Sequence, residues 1–145
     1  MLIEITRKLQ LENNVFFVNE FLELKQLLNY LILSDIYLFA SKDPNQAVSG
    51  TFAYAMSCGC AIISTPIPHA IEALNTGTGI LLDSFDQPEA FRKAIMQLVE
   101  NKKERLAMGR NGYALTHETT WENIALKYGF LFAEVTENVE ADRKS

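Results

Sequence analysis

Apolar residues fall along the chain in two rhythms. Four short runs are apolar or β-branched at successive positions: Asn14-Val15-Phe16-Phe17-Val18, Asp35-Ile36-Tyr37-Leu38-Phe39-Ala40, Ala61-Ile62-Ile63-Ser64 and Gly79-Ile80-Leu81-Leu82. A run without polar alternation suits a strand covered on both faces, as in a parallel sheet. Between the runs the spacing becomes helical. Leu2 to Leu9 reads as a helix, Leu24, Leu27, Leu28 and Leu31 recur at helical intervals, and Gly50 to Ser57 is a stretch of small residues opened by Ser49-Gly50-Thr51 and closed at Gly59. Strands alternating with helices predict an α/β fold, a Rossmann-like parallel sheet flanked by helices.

Past Leu82 only the helical rhythm remains, which predicts a helical carboxyl-terminal tail. Asp86-Gln87-Pro88-Glu89 reads as a capping box with proline in the first turn, and Phe91, Ile95, Leu98 and Val99 form the stripe that its helix buries. A second box, Thr119-Thr120-Trp121-Glu122, opens a terminal helix with apolar positions at Trp121, Ile124, Ala125, Tyr128, Leu131, Phe132 and Val135. Trp121 and Phe132 are expected to pack that helix, though part of its apolar face is expected to stay exposed. The polar end from Glu137 to Ser145 is expected to fray, and the charge run Glu100 to Arg105 to be a solvated helix junction. With no repeat and no low-complexity tract, residues 1–145 read as one domain.

Composition narrows the class. The chain has 145 residues, 48% of them hydrophobic, and 13 Lys and Arg against 18 Asp and Glu, a formal net charge of −5. That length buries a core without disulfides or metals. The acidic balance and scattered basic residues lack the footprint of a nucleic-acid binder and allow at most peripheral contact with a membrane. No apolar run approaches the roughly 18–20 residues of a membrane span, and the Met1–Lys8 start places its charges after its apolar residues, the reverse of a secretory signal. A cytoplasmic protein is expected. Cys58 and Cys60, one residue apart, are too close for an ordinary disulfide and lack a second Cys/His pair for zinc, so they are expected to be reduced and structural.

The chemistry concentrates after two strand ends. Asp43 to Cys60 lies between two strands, and in open α/β sheets ligands bind beyond the carboxyl ends of the strands. A helix beginning there offers unpaired N–H groups and the positive end of its dipole to an anion, and Gly50 allows close approach to the backbone. Ser49-Gly50-Thr51 is thus a candidate phosphate seat, although Ser or Thr there would equally serve as a plain N-cap. After the next strand, Ser64-Thr65-Pro66-Ile67-Pro68-His69-Ala70-Ile71-Glu72 brings His69 and Glu72 to the same crevice. The alternatives are a structural histidine and a carboxylate in the favourable first turn of its helix. A response-regulator or flavodoxin type of fold would need an acidic cluster at a strand end, which Asp35 and Asp43 do not form.

In order and spacing, Ala55-Met56-Ser57-Cys58-Gly59, Ile62-Ile63-Ser64-Thr65, Glu72, Thr78-Gly79 and the helix Glu104 to Asn111 resemble the carboxyl-terminal, nucleotide-sugar-binding half of GT-B glycosyltransferases, in the large retaining group called family 4. The resemblance spans nearly the whole chain. It implies a partial GT-B carboxyl-terminal domain, lacking its first strands, the Gly-rich turn, the diphosphate-clamping Arg and Lys, and the acceptor domain. It further implies transfer of a hexosyl unit from a nucleoside-diphosphate sugar to a glycan or lipid-linked acceptor, with retention, in polysaccharide biosynthesis. The nucleotide sugar is then a substrate, and neither cofactor nor metal is expected.

Carried onto this sequence, the family's Glu-x7-Glu pair falls on Gln46 and Tyr54, and its Gly-Gly turn on Pro68-His69. The resemblance implies that Ser49, Gly50 and Thr51 hold the diphosphate, Tyr54 the ribose, Gln46 and His69 the sugar, and that Glu72 acts on the sugar or on His69. The other class of function left open is a non-catalytic nucleotide-binding or regulatory module that completes its sheet with the missing amino-terminal domain or a second copy. The chain alone is expected to lack transferase activity, because positioning an acceptor is worth on the order of 7–11 kcal/mol in favourable cases. Turnover of any nucleotide sugar by the purified chain would overturn that expectation.

Overall fold

The computed structural model describes residues 1–74 and 77–142. Its elements are α1 (Leu2–Lys8), α2 (Leu24–Leu33), β1 (Ile36–Phe39), α3 (Gly50–Ser57), β2 (Ala61–Ser64), α4 (Pro68–Ala73), β3 (Gly79–Leu81), α5 (Pro88–Glu100), α6 (Lys102–His117) and α7 (Trp121–Asp142). The three strands form one parallel sheet in the order β1-β2-β3, with Ile36 opposite Ala61 and Ile62 opposite Gly79. A parallel sheet flanked by helices, with a helical tail, is therefore the fold.

Side chains of β2 are buried throughout, and their alternation feeds two cores. Ile62 points to a cluster with Leu31 of α2, Phe52, Ala55 and Met56 of α3, and Ala70 of α4. Ala61 and Ile63 point the other way, to Ala94 and Leu98 of α5. Helix α6 closes the amino end of β2. There Gly109 meets the turn after α3 so closely that a methyl group at 109 would overlap the Gly59 carbonyl oxygen. Gly59 itself has φ +77°, which a side chain rarely adopts.

Several expectations need correction. Asn14 to Val18 forms no strand: it finds no ladder partner among the described residues, and Phe16 is 82% exposed. A strand is only as stable as its neighbours' hydrogen bonds, and the segment's pattern cannot supply them. Helix α5 begins as expected at Pro88, but Gln87 is its N-cap with no side-chain cap bond; Asp86 faces Lys42 at 3.6 Å instead. Its buried stripe is centred on Ala94 and Leu98, and Val99, on the next face of the helix, is exposed. Glu72 lies in the second turn of α4, since that helix starts at Pro68, and so gains little from the dipole.

The Glu100–Arg105 junction is not wholly solvated. Arg105 Nη1 donates to the Leu98 carbonyl at 2.7 Å, and its Nε lies 3.3 Å from an Asp35 carboxylate oxygen, an ion pair without an aligned hydrogen bond. Helix α7 opens under a Thr120 cap that accepts the Asn123 N–H, and it continues to Asp142 rather than fraying at Glu137; residues 143–145 lie outside the described ones. Trp121 and Phe132 do not pack it onto the body: they are 88% and 62% exposed, so the exposed apolar face is the rule along α7. Cys58 and Cys60 are free thiols. Burial pushes Cys60 up to about 11, and its sulfur meets the Leu31 carbonyl at 3.1 Å.

Replacing Gly109 by alanine forces α6 away from the Gly59 turn. The expected cost is about 3 kcal/mol, near the upper end for overpacking, read as a lowered denaturation midpoint with an unchanged slope. Wild-type stability in that variant would refute the close approach.

Candidate functional site

The loops after β1 and β2 meet at the carboxyl edge of the sheet. Thr65, just past β2, donates its hydroxyl to the Ser41 carbonyl at 2.8 Å, tying the two loops together. Ser41 in turn accepts from the Asp43 amide and donates its hydroxyl to Gln46 Oε1 at 2.7 Å. Gln46 is thereby held half-buried with its oxygen engaged and its NH2 left as the group it can offer.

Helix α3 starts beside it. Ser49 is the N-cap, its hydroxyl accepting the Phe52 N–H at 3.3 Å. Ser49 Oγ also lies 3.2 Å from Thr51 Oγ1, which accepts from the Tyr37 hydroxyl at 2.9 Å. Three hydroxyls and two links between them leave one hydroxyl proton unspent in this cluster. The Gly50 and Thr51 amides, at the first positions of the helix, meet no acceptor among the described residues, and a Cβ at Gly50 would touch nothing within 4 Å. The start of α3 is therefore open and rich in donors.

His69 joins α4 to α3. Its Nδ1 accepts the Ser49 N–H at 3.2 Å, and its ring lies 4.7 Å from that of Phe52, which is fully buried. Of the three amides expected to face an anion, the Ser49 amide is thus already committed to His69, and the seat narrows to Gly50 and Thr51. Burial lowers the His69 pKa from its ordinary 6.5, against a smaller opposing pull from Glu72. The imidazole is neutral at pH 7, with its proton on Nε2.

Of the other expected residues, Tyr54 stands on the exposed side of α3, 39% accessible, and Glu72 lies one turn beyond His69 on α4. His69 and Glu72 both line a groove between α3, α4 and the end of α6. The structure thus brings together Gln46, Ser49, Gly50, Thr51 and His69 around the α3 start, with Glu72 beside them. Sequence reading missed Tyr37 and Ser41 and gave Thr65 no role, yet these three hold the others in place. Tyr37 sits in an apolar strand and Ser41 in a turn-like loop, so no local signal marked them. Among the described residues, no three His, Cys, Asp or Glu side chains come together as metal ligands.

The fold defines a class, the Rossmann-like carboxyl-terminal half of a GT-B glycosyltransferase. Residues 1–115 match the family described as glycosyl transferases group 1, and the chain belongs to that family. It is 29% identical over 124 residues to an uncharacterized glycosyltransferase of Methanocaldococcus jannaschii, covering 84% of this chain and 31% of that protein. Among solved structures, a sucrose-phosphate synthase from Thermosynechococcus elongatus superposes with TM-score 0.76 at 20% identity, over 94% of this chain and 34% of that one. The carboxyl-terminal domain of a group 1 glycosyl transferase from Francisella tularensis superposes with TM-score 0.67 at 21% identity, over 85% and 61% of the two chains. The chain thus spans about a third of its curated relative. Among the described residues no helix is long and apolar enough to cross a membrane.

The lowered His69 pKa sets a pH dependence. Below pH 6.5 the unfolded chain takes up the imidazole proton before the folded one does, so stability falls with pH until the folded His69 also titrates. Between pH 7 and 5, a His69→Asn variant is expected to lose less stability than the wild type in urea titrations. Parallel losses would show that burial does not lower the pKa of this ring.

Proposed function

We propose that the chain forms the donor-binding part of a glycosyltransferase that moves a hexosyl unit from a nucleoside-diphosphate sugar to a glycan or lipid-linked acceptor, with retention at the anomeric carbon. The observation that carries this reading is the donor-rich start of α3: the Gly50 and Thr51 amides and one unspent hydroxyl proton, with no acceptor facing them among the described residues. Such a cluster at a helix N-terminus suits phosphate oxygens and favours the charge that develops on a departing diphosphate. Gln46 and His69 flank it and orient the sugar, Tyr54 holds the ribose, and Glu72 acts on the sugar or on His69. The diphosphate is neutralised by these dipoles without a metal ion, on the cytoplasmic side, in polysaccharide assembly.

A second reading is a non-catalytic nucleotide-binding module that works with a partner, the amino-terminal domain of such an enzyme or a second copy. It is favoured by Gln46 and Tyr54 standing where the family carries glutamates, and by β1, whose outer edge pairs with no strand among the described residues.

Calorimetric titration with UDP, GDP and their sugar conjugates tests the seat. Thr51→Pro removes the backbone N–H together with the hydroxyl, whereas Thr51→Val removes only the hydroxyl, so the difference between them reports the N–H. The proline variant is expected to weaken diphosphate binding at least about tenfold, a loss of the size of one charge-assisted hydrogen bond, and the valine variant less. Unchanged affinity in a folded proline variant would count against the seat.

A further inference from the structure

One histidine, one carboxylate, two threonines and a floor of methyl groups line the groove between α3, α4 and the carboxyl end of α6. We propose that this groove receives the acetamido group of an N-acetylated hexosamine, so that the nucleotide donor carries a 2-acetamido sugar; this rests on the donor-site reading above and names its sugar. The groove encloses about 400 Å³. Its floor is Met56 and Ala73, exposed by only 2% and 8%, with Ala53 and Leu115 at the sides.

The polar groups have opposite and fixed capacities. His69 has committed Nδ1 to the Ser49 amide, so all it can offer a ligand is the Nε2 proton. Glu72, exposed on the same face of α4 three residues on, can only accept while ionised. Thr116 and Thr119, also in the lining, spend their hydroxyl protons on the Tyr113 and Thr116 carbonyls and keep only acceptor oxygens. One free donor, a carboxylate acceptor and a methyl-lined floor match a secondary acetamide, whose carbonyl accepts, whose N–H donates and whose methyl group is apolar. Other sugar substituents fit less well. A bare hydroxyl leaves the apolar floor against water or against a polar group, which costs burial energy. A carboxylate or further phosphate is repelled by Glu72, and an ammonium group pairs with Glu72 but opposes the His69 N–H. The position also fits. Ala53 lies about one helical turn, about 5 Å, along α3 from Gly50, and His69, which bonds the Ser49 amide, also lines the groove.

The methyl-labelled chain, titrated with N-acetylglucosamine and with glucose at equal millimolar concentrations, tests the groove. The expected result is that the Ala53, Met56, Ala73 and Leu115 methyl resonances shift with N-acetylglucosamine and stay in place with glucose. Glu72→Leu, at an exposed position that leaves the fold intact, is expected to weaken the response about tenfold, and Ala73→Leu to fill the groove and abolish it. Equal responses to the two sugars, or none to either, overturn the proposal. UDP and GDP are read separately at the Gly50 and Thr51 amides. If those amides stay still while the groove methyls respond, the donor-site reading fails and so does the assignment of the acetamido group to the donor. If the amides respond and UDP-N-acetylglucosamine binds no more tightly than UDP-glucose, the donor-site reading survives and this inference alone is refuted.

Discussion

The burial of Phe52 holds the candidate site in place. Its ring lies beneath the first turn of α3, in an edge-on contact with Phe39 of β1 at 5.9 Å and against His69 of α4 at 4.7 Å. Removing a side chain so buried costs about 3–5 kcal/mol, a large part of the stability of any domain. Because the same ring touches strand, helix start and histidine, core packing fixes how far apart the two strand-end loops stand. The Ser49 cap and the His69 contact are then satisfied without further adjustment of the backbone. At the opposite end of β2 the Gly59–Gly109 approach performs the corresponding task, setting α6 against the turn that follows α3.

Around this anchor the polar chemistry is one-sided. The family's paired carboxylates would offer acceptors to sugar and ribose hydroxyls. Here Gln46 has its oxygen tied to Ser41, and Tyr54 presents a phenol that both donates and accepts. The α3 start adds amides and a hydroxyl proton, and Glu72 supplies a carboxylate beside them. A ligand that complements this arrangement must bring most of the acceptors itself, as a diphosphate does.

Much apolar surface remains in contact with water. The accessible area, 10,805 Å² for 16.4 kDa, exceeds the about 7,500 Å² of a compact monomer of that mass. Phe16, Phe21, Trp121, Phe130 and Phe132 contribute to the excess. These residues lie in α7 and in the segment between α1 and α2, away from the two clusters on the sheet. Apolar surface of this extent is of the kind that partner surfaces cover.

The sequence by itself determined the α/β class, three of the four proposed strands, and in outline the helices that begin near Leu2, Leu24, Gly50, Pro88 and Trp121. It did so because helix periodicity, unbroken apolar runs and N-cap chemistry are local signals, readable at Leu24–Leu31, Ala61–Ser64 and Ser49 without knowledge of neighbours. Family order at Ala55–Gly59 and Thr78–Gly79 added the rest. Only the tertiary structure decided what depends on partners distant in the chain. Asn14 to Val18 has a strand's composition but no ladder, Arg105 reads as a surface charge but reaches Leu98 and Asp35, and Trp121 reads as packing but stands in solvent. The same holds for the Ser49 amide. Its sequence marks it as part of an anion seat, yet the fold of α4 brings a histidine nitrogen twenty positions away to within 3.2 Å and takes that donor for itself. A local pattern specifies what a residue can do; which group meets it is set by the packing of Phe52 and the strands beneath.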